Sequence, residues 1–503
     1  MMVQRIALSI LSSVLLWVSF PSADLHFFSW IGFIPLCRVL SAASKPKAFL
    51  FSYLSGFLFF LLILSWLRHV TVLGLIILCL YLAFYFALFG YFFVVGKRQA
   101  GINFRFIIFV SCVWVVVEYC RSQLLTGFPW ALLGYAQYRS IPFIQFADIT
   151  GIWGVSFVVM FVNLCSFFLL QSFLKREKRT MKKCIAALAV VFIVTYGYGF
   201  YSLKKYSKKE ETPSLDVAVI QGNIAQDEKW ENVFRPQIKE NYSSLSKEAS
   251  RHHPDLLIWP ETSYPDYIVS GDDNAFDELF EIVHATSGPL LCGAVLEEPN
   301  RYFNAAFLLA PTRQPVTVYK KIHLVPFGEY VPLRNRLHFL EDIVPIGDFT
   351  AGSDYTLFSL RNKKEHSFRF GVLICFEDTL FELARQFRLR GADFFVNITN
   401  DAWFKKSAGP YQHVQASVFR AVENRAYLAR AANTGISCII DDTGRVLQRL
   451  RDEKGKDIFV RGFLEGKINA PVGLSVYTKW GDWFVVACAL YMITFLIYLR
   501  KKI

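Results

Sequence analysis

The chain has 503 residues, 54% of them hydrophobic and 17% aromatic, with mean hydropathy +0.34 and a formal net charge of +13. That apolar content excludes an ordinary water-soluble globular protein. The positive charge is concentrated in loops between apolar segments, so it reads as a topology signal and not as a nucleic-acid surface.

Seven apolar stretches come first, at residues 6–20, 25–40, 49–67, 72–95, 106–119, 152–173 and 184–201, and an eighth lies at 483–499. A bilayer core needs about 20 apolar residues per helix, which the third, fourth, sixth and seventh stretches supply most fully. The first is flanked by Arg5, shows no small-x-small cleavage site and is followed at once by further spans, so it reads as an uncleaved anchor. The domain plan is a bundle over 1–203, a linker over 204–214, a water-soluble domain over 215–475 and a closing membrane helix over 483–499.

Alternate loops carry the basic residues: Arg38, Lys45 and Lys47; Lys97, Arg98 and Arg105; Lys175, Arg176, Lys178, Arg179, Lys182 and Lys183; then Arg500, Lys501 and Lys502. By the positive-inside rule these face the cytoplasm, which places the large domain outside. The patch around Lys204, Lys208 and Lys209 dissents mildly, since long domains translocate largely regardless of charge. Near the outer end of the fifth stretch, Glu118 and Arg121 stand at i and i+3 and can pair on one helical face. The aromatic loop 126–135 that follows suits a membrane interface.

From residue 215 the pattern alternates strand and helix. Strands are expected at 215–221, 256–259, 290–296, 303–309, 316–319, 368–374 and 393–397, with helices at 234–252, 275–286, 380–389 and 413–432. A hairpin, 436–440 with 446–450, turns around Asp441-Asp-Thr-Gly444. Short apolar strands alternating with helices imply buried sheets covered by helices, an α/β sandwich.

Three polar residues end apolar strands in this region. Cys375 closes the strand in Gly371-Val-Leu-Ile-Cys-Phe-Glu-Asp378, at a strand-to-helix turn whose backbone N–H groups favour a thiolate. Glu261 follows the strand ending in Trp259-Pro, and Lys321 stands in Tyr319-Lys-Lys-Ile-His323. A carboxylate, a lysine and a cysteine are the parts for acyl transfer through a thioester. Only Cys292, Cys375 and Cys438 fall within the soluble domain, and no CxxC pair or histidine cluster has metal-ligand spacing, so neither a metal nor another cofactor is expected.

These motifs, in this order, resemble the nitrilase or carbon–nitrogen hydrolase superfamily. The full chain resembles more specifically the apolipoprotein N-acyltransferase family of bacterial inner membranes. The likeness includes Val219-Ile-Gln-Gly-Asn223 with Lys229-Trp230, the block from Lys321 to Pro332, Asn400-Asp-Ala-Trp-Phe404, Gly409-Pro-Tyr-Gln-His413 and the outer loop Thr126-Gly-Phe-Pro-Trp130. The resemblance implies an α-β-β-α sandwich on a multi-pass helical bundle. It also implies a Glu261, Lys321, Cys375 triad, with Glu329, Phe376, Glu377, Trp230 and Asn304 in supporting or substrate-binding places. Phe376 stands where the family often has tyrosine, which leaves the backbone N–H as its contribution.

The activity so implied moves a fatty acyl chain from a phospholipid donor, through a thioester on Cys375, to the N-terminal amine of a diacylglyceryl-modified lipoprotein acceptor. The location implied is the outer, periplasmic side of the inner membrane. A membrane-tethered amidase or nitrilase acting on a small soluble C–N substrate is the alternative. Seven spans are excessive for a tether.

Overall fold

The computed structural model describes residues 2–100, 103–207, 212–272, 274–312, 316–330 and 349–501, the side chains of 98–100 excepted. The basic residues Lys208, Lys209 and Lys502, and the motif positions Val331 and Pro332, lie outside the described residues. Two compact units emerge. One comprises Met1–Ser207, Ser407–Gln415 and Ser475–Ile503, the other Lys208–Lys406 and Ala416–Leu474.

The first unit is helical. Lys45–Ile63, Val72–Lys97, Ile152–Leu174, Lys178–Tyr206 and Trp483–Arg500 are long and apolar enough to cross a membrane. Val190, Ile193, Val194 and Phe200 on the fourth of these are exposed, as lipid-facing side chains are. Met2–Val18 is a shorter apolar helix, and Phe104–Gln123 is a helix of 20 residues that carries Arg105, Glu118 and Arg121. The stretch expected as one span over 25–40 is instead broken into a tight turn, His26–Trp30, and a helix, Ile34–Ser41, with Pro35 in its first turn. Proline supplies the start, because its missing N–H is one that a first helical turn leaves unbonded anyway. Asn163 fills the break: its side chain accepts from Phe33 N at 2.8 Å and donates to the Ser29 carbonyl at 2.7 Å. Away from water such groups must be satisfied inside the protein.

Glu118 and Arg121 both reach the loop that follows their helix. Glu118 Oε1 accepts from Leu133 N at 2.7 Å, and Arg121 Nη1 donates to the carbonyls of Phe128 and Trp130 at 2.8 and 2.7 Å. The loop's Trp130, Leu132 and Tyr135 are buried while Leu124 and Leu125 are exposed. In the same unit Gln412 uses its whole amide: Oε1 accepts from Trp66 and Trp130 Nε1 at 3.0 and 2.8 Å, and Nε2 donates to the Pro21 and Ile63 carbonyls, each at 3.0 Å.

The second unit is an α/β sandwich. Its strands are β1 (Ser214–Gln221), β2 (Leu256–Ile258), β3 (Tyr267–Val269), β4 (Leu290–Glu298), β5 (Arg301–Leu309), β6 (Thr317–Lys320), β7 (Leu357–Arg361), β8 (Ser367–Ile374), β9 (Phe394–Thr399), β10 (Tyr427–Ala432), β11 (Cys438–Ile440), β12 (Val446–Arg449) and β13 (Gly462–Asn469). One sheet runs β13-β1-β2-β4-β5-β6 with β3 beside β4, and the other runs β12-β11-β10-β9-β8-β7. The middle of each is parallel, β1-β2-β4 and β8-β9-β10, so the C-terminal ends of these strands emerge on one edge of their sheet. The sheets meet through β1 with β10 and β5 with β8. Helices Arg235–Ser250 and Asp277–Thr286 cover the first sheet, burying Tyr242, Leu245, Leu279 and Val283 against Leu257, Trp259 and Leu290. Phe381–Leu389 packs on β8.

One expected element is wrong. Residues 413–432 are not a single helix: the helix is Gly409–Asn424, and Tyr427–Ala432 is strand β10. Leu, Ala and Arg favour helix, but β10 is buried throughout and pairs with β9 over its whole length. Tertiary pairing overrides propensity there. Arg425, at φ 49°, marks the break.

Candidate active site

β2, β6, β8 and β9 each end at a residue of one polar cluster. Glu261 follows β2, Lys321 follows β6, Cys375 follows β8 and Asn400 follows β9. Parallel strands deliver their C-terminal ends, and whatever side chains stand there, to a common edge. Gly293 lets β4 come close to the Glu261 turn, since a Cβ there would stand 2.5 Å from the Pro260 carbonyl oxygen.

Glu261 is fixed on both oxygens. Oε1 accepts from Asn304 Nδ2 at 2.7 Å and Oε2 from the Asn400 backbone N–H at 2.8 Å. Asn304 also donates to Glu329 Oε1 at 2.8 Å, so one amide spans both carboxylates. Lys321, only 1% exposed, has its ammonium 2.9 Å from Glu329 and 3.6 Å from Glu261. Glu329 is held in turn by Val325 N–H at 2.8 Å. Burial alone would push the Lys321 ammonium down; Glu329, Glu261 and Cys375 outweigh it and hold the lysine above its ordinary value. Neighbouring Lys320 turns away and pairs with Glu298 at 2.5 Å.

Cys375 adopts φ 53°, a left-handed conformation for a residue with a side chain, and opens a tight helical turn, Cys375–Thr379. Such strain costs about 1–3 kcal/mol and is characteristic of nucleophile turns. The Cys375 carbonyl accepts from Asn397 Nδ2 at 3.2 Å. Burial pushes the Cys375 thiol up, Glu261 adds to this and Lys321 opposes it. The sulfur therefore rests as a thiol, and any attack by it would need a base.

Glu377, fully buried, joins the cysteine turn to the lysine loop. Its carboxylate accepts from Ile374 N at 2.8 Å, from Ile322 N at 2.8 Å, from His323 N at 3.0 Å and from the Tyr319 hydroxyl at 3.0 Å. Burial pushes its carboxyl up to about 7 against Lys321 and these N–H groups. The Phe376 carbonyl accepts from Thr379 Oγ1 at 2.7 Å, which helps close the same turn. Trp230 is 41% exposed, so it is no core tryptophan.

Several contributors had no site role in the sequence reading, although Asn400 and Lys229 stand in its motifs. Asn400 holds the second oxygen of Glu261. Arg430, buried in β10, pairs with Asp378 at 2.9 Å and Asp401 at 3.1 Å and so ties together the turns after β8 and β9. An arginine inside a wholly apolar strand was the available signal. Lys229, in the turn after β1, donates to the Glu261 carbonyl at 3.0 Å. All ten cysteines are free thiols. No group of three or more histidine, cysteine or acidic residues could hold a metal ion among the described residues.

The model of the apolipoprotein N-acyltransferase N-terminal domain matches residues 12–165, and that of the carbon-nitrogen hydrolases matches 216–462. An apolipoprotein N-acyltransferase of Geobacter metallireducens is 38% identical over 96% of this chain and 92% of its own length. One from Nitrosomonas europaea is 33% identical over 83% of this chain and 79% of its own. Among solved structures, Saccharomyces cerevisiae Nit3 of the nitrilase superfamily aligns over 51% of this chain and 90% of its own, at 15% identity and a TM-score of 0.39. With both domain models in order along one chain and a 38% identical relative matched over nearly its whole length, this chain belongs to the apolipoprotein N-acyltransferase family.

Proposed function

We propose that this protein N-acylates lipoproteins in two half-reactions at one cysteine. The observation that carries the reading is the cluster of buried Glu261 and Lys321 with half-buried Cys375, in a chain whose described residues include five membrane-length helices. In the first half-reaction Glu261 takes the Cys375 proton as sulfur attacks the sn-1 ester carbonyl of a phospholipid. Lys321 and the Phe376 backbone N–H stabilise the oxyanion; removal of one such donor typically costs about 2.7–4 kcal/mol of transition-state stabilisation. The C–O bond breaks, the departing lysophospholipid oxygen takes the proton from Glu261, and a thioester remains.

In the second half-reaction the amine of a diacylglyceryl-cysteine attacks that thioester. Glu261 accepts the amine proton, the C–S bond breaks, and the proton passes to the sulfur. Glu329 positions Lys321, Asn304 and the Asn400 N–H position Glu261, and Glu377 holds the Cys375 turn to the Lys321 loop. Trp230, Phe327 and Trp403, all exposed, are near neighbours in sequence of Lys229, Glu329 and Asn400, and their rings suit an apolar substrate.

The domain plan is 1–203, 204–214, 215–475 and 483–499, except that residues 407–415 belong to the helical unit, with the catalytic domain on the periplasmic side, a placement the alternating basic loops support. In intact cells, a cysteine at Asp272 should react with a membrane-impermeant thiol reagent and one at Lys178 should not; the reverse pattern contradicts this orientation. Transfer is separated from hydrolysis by isolating the acyl-enzyme and adding either buffer or a lipopeptide amine. Rapid discharge by the lipopeptide alone is expected, and equal discharge by buffer would make the protein a hydrolase.

A further inference from the structure

Lys229 is a buried lysine in the midst of this cluster that neither half-reaction uses. It stands in the turn between β1 and helix Arg235–Ser250 and is 4% exposed. Its ammonium donates to the backbone carbonyl of Glu261 at 3.0 Å and lies 5.8 Å from the centre of the Trp230 ring. No carboxylate of the described residues lies within ion-pair distance of it. An ammonium so buried is costly unless nearby negative charge compensates it.

The charge balance of the site supplies that compensation. Lys321 is matched by two carboxylates, Glu261 and Glu329, which leaves those three side chains one negative charge in excess. A thiolate formed while Glu261 is still ionised would meet net repulsion, which either proton transfer to Glu261 or a second cation relieves. Lys229 brings the group to neutrality, and it interacts electrostatically with both Glu261 and Cys375.

We propose that Lys229 is a second functional cation of the site, whose charge lowers the cost of the Cys375 thiolate while its hydrogen bond positions the Glu261 turn. This rests on the reading of Cys375 as the nucleophile. Burial pushes the Lys229 ammonium down to about 8, with Glu261 and Cys375 pulling it back up, so it remains mostly charged at neutral pH. The other groups acting on the thiol are Glu261 after β2, Lys321 after β6, and Thr399 and Asp401 at the end of β9. Glu377 lies on the cysteine's own turn.

The test is alkylation of Cys375 by iodoacetamide between pH 6 and 10, followed by intact mass and peptide mapping on the full-length protein in detergent. Lys229→Met should raise the apparent titration of the thiol by about one unit and slow alkylation about tenfold at pH 7.5. Lys229→Arg, which keeps the charge, should stay close to the parent profile below about pH 8, where Lys229 is itself charged. If the two variants share one pH profile, whatever their melting temperatures or acyl-transfer rates, the proposal is overturned. Alkylation needs no lipid. Failure of the parent protein to accept an acyl chain from phospholipid would therefore count against the acyl-transfer reading and leave the Lys229 result standing.

Discussion

The carboxylate nearest the Lys321 ammonium is Glu329, at 2.9 Å, and not Glu261, at 3.6 Å. The lysine is thus held by a residue outside the proposed triad, which leaves Glu261 Oε1 in a hydrogen bond with Asn304 and close to, but not captured by, the cation.

Glu329→Gln should therefore impair catalysis without removing any of the three triad side chains. The variant loses a charge-assisted bond worth about 1.5–3 kcal/mol, and Lys321 then has Glu261 as its nearest anion. Single-turnover acyl-enzyme formation is expected to slow by about 10–100-fold. An unchanged rate would mean that Lys321 keeps its place without Glu329.

Glu377 should act on stability as much as on rate. Glutamine must turn its NH2 toward either Ile374 N–H or the Ile322 and His323 N–H groups, so Glu377→Gln should destabilise by about 1–3 kcal/mol. The pH dependence has a definite sign. The folded carboxyl titrates at about 7, above its ordinary 4.5, so between those values the folded protein binds more protons than the unfolded one. Stability from this group then falls as pH rises through that window. Melting midpoints at pH 5 and pH 8 should show the advantage of the parent over Glu377→Gln shrinking with pH; a widening gap would contradict the assignment.

Arg430→Met should be severe. It strands Asp378 and Asp401 in a buried setting, at a cost of about 3–5 kcal/mol. Loss of folded protein from detergent extracts is expected. Adding Asp378→Asn and Asp401→Asn should recover part of it, because the stranded charges are then gone. No recovery would mean that Arg430 acts by packing.

Much of this site was legible in the sequence because Glu261, Lys321 and Cys375 are polar residues closing apolar strands, a local pattern. Their holders were not. Asn400, Arg430 and Lys229 act across strands whose pairing only the register of β8, β9 and β10 and the meeting of two sheets bring about. The same limit explains the misassigned β10, where Tyr-Leu-Ala-Arg-Ala-Ala has no alternation to betray a strand buried on both faces. It explains the broken second span as well. Residues 25–40 are apolar enough for one helix, and the break depends on Asn163, more than a hundred residues away.

Gln412 offers a test within the helical unit. Gln412→Leu conserves bulk but removes four hydrogen bonds, to Trp66, Trp130, Pro21 and Ile63. A loss of about 2–4 kcal/mol is expected. It should appear as a lower melting midpoint and as faster proteolysis around residues 407–415. Parent-like proteolysis would show that these bonds do not hold the segment.

Intact mass of the purified protein after incubation with phospholipid, in the absence of any acceptor, tests the account most directly. The chain should gain the mass of one fatty acyl group, hydroxylamine should remove it, and Cys375→Ala should gain none. Acylation of Cys375→Ala to the same extent, or no acylation of the parent protein, would contradict the thioester on which the whole account depends.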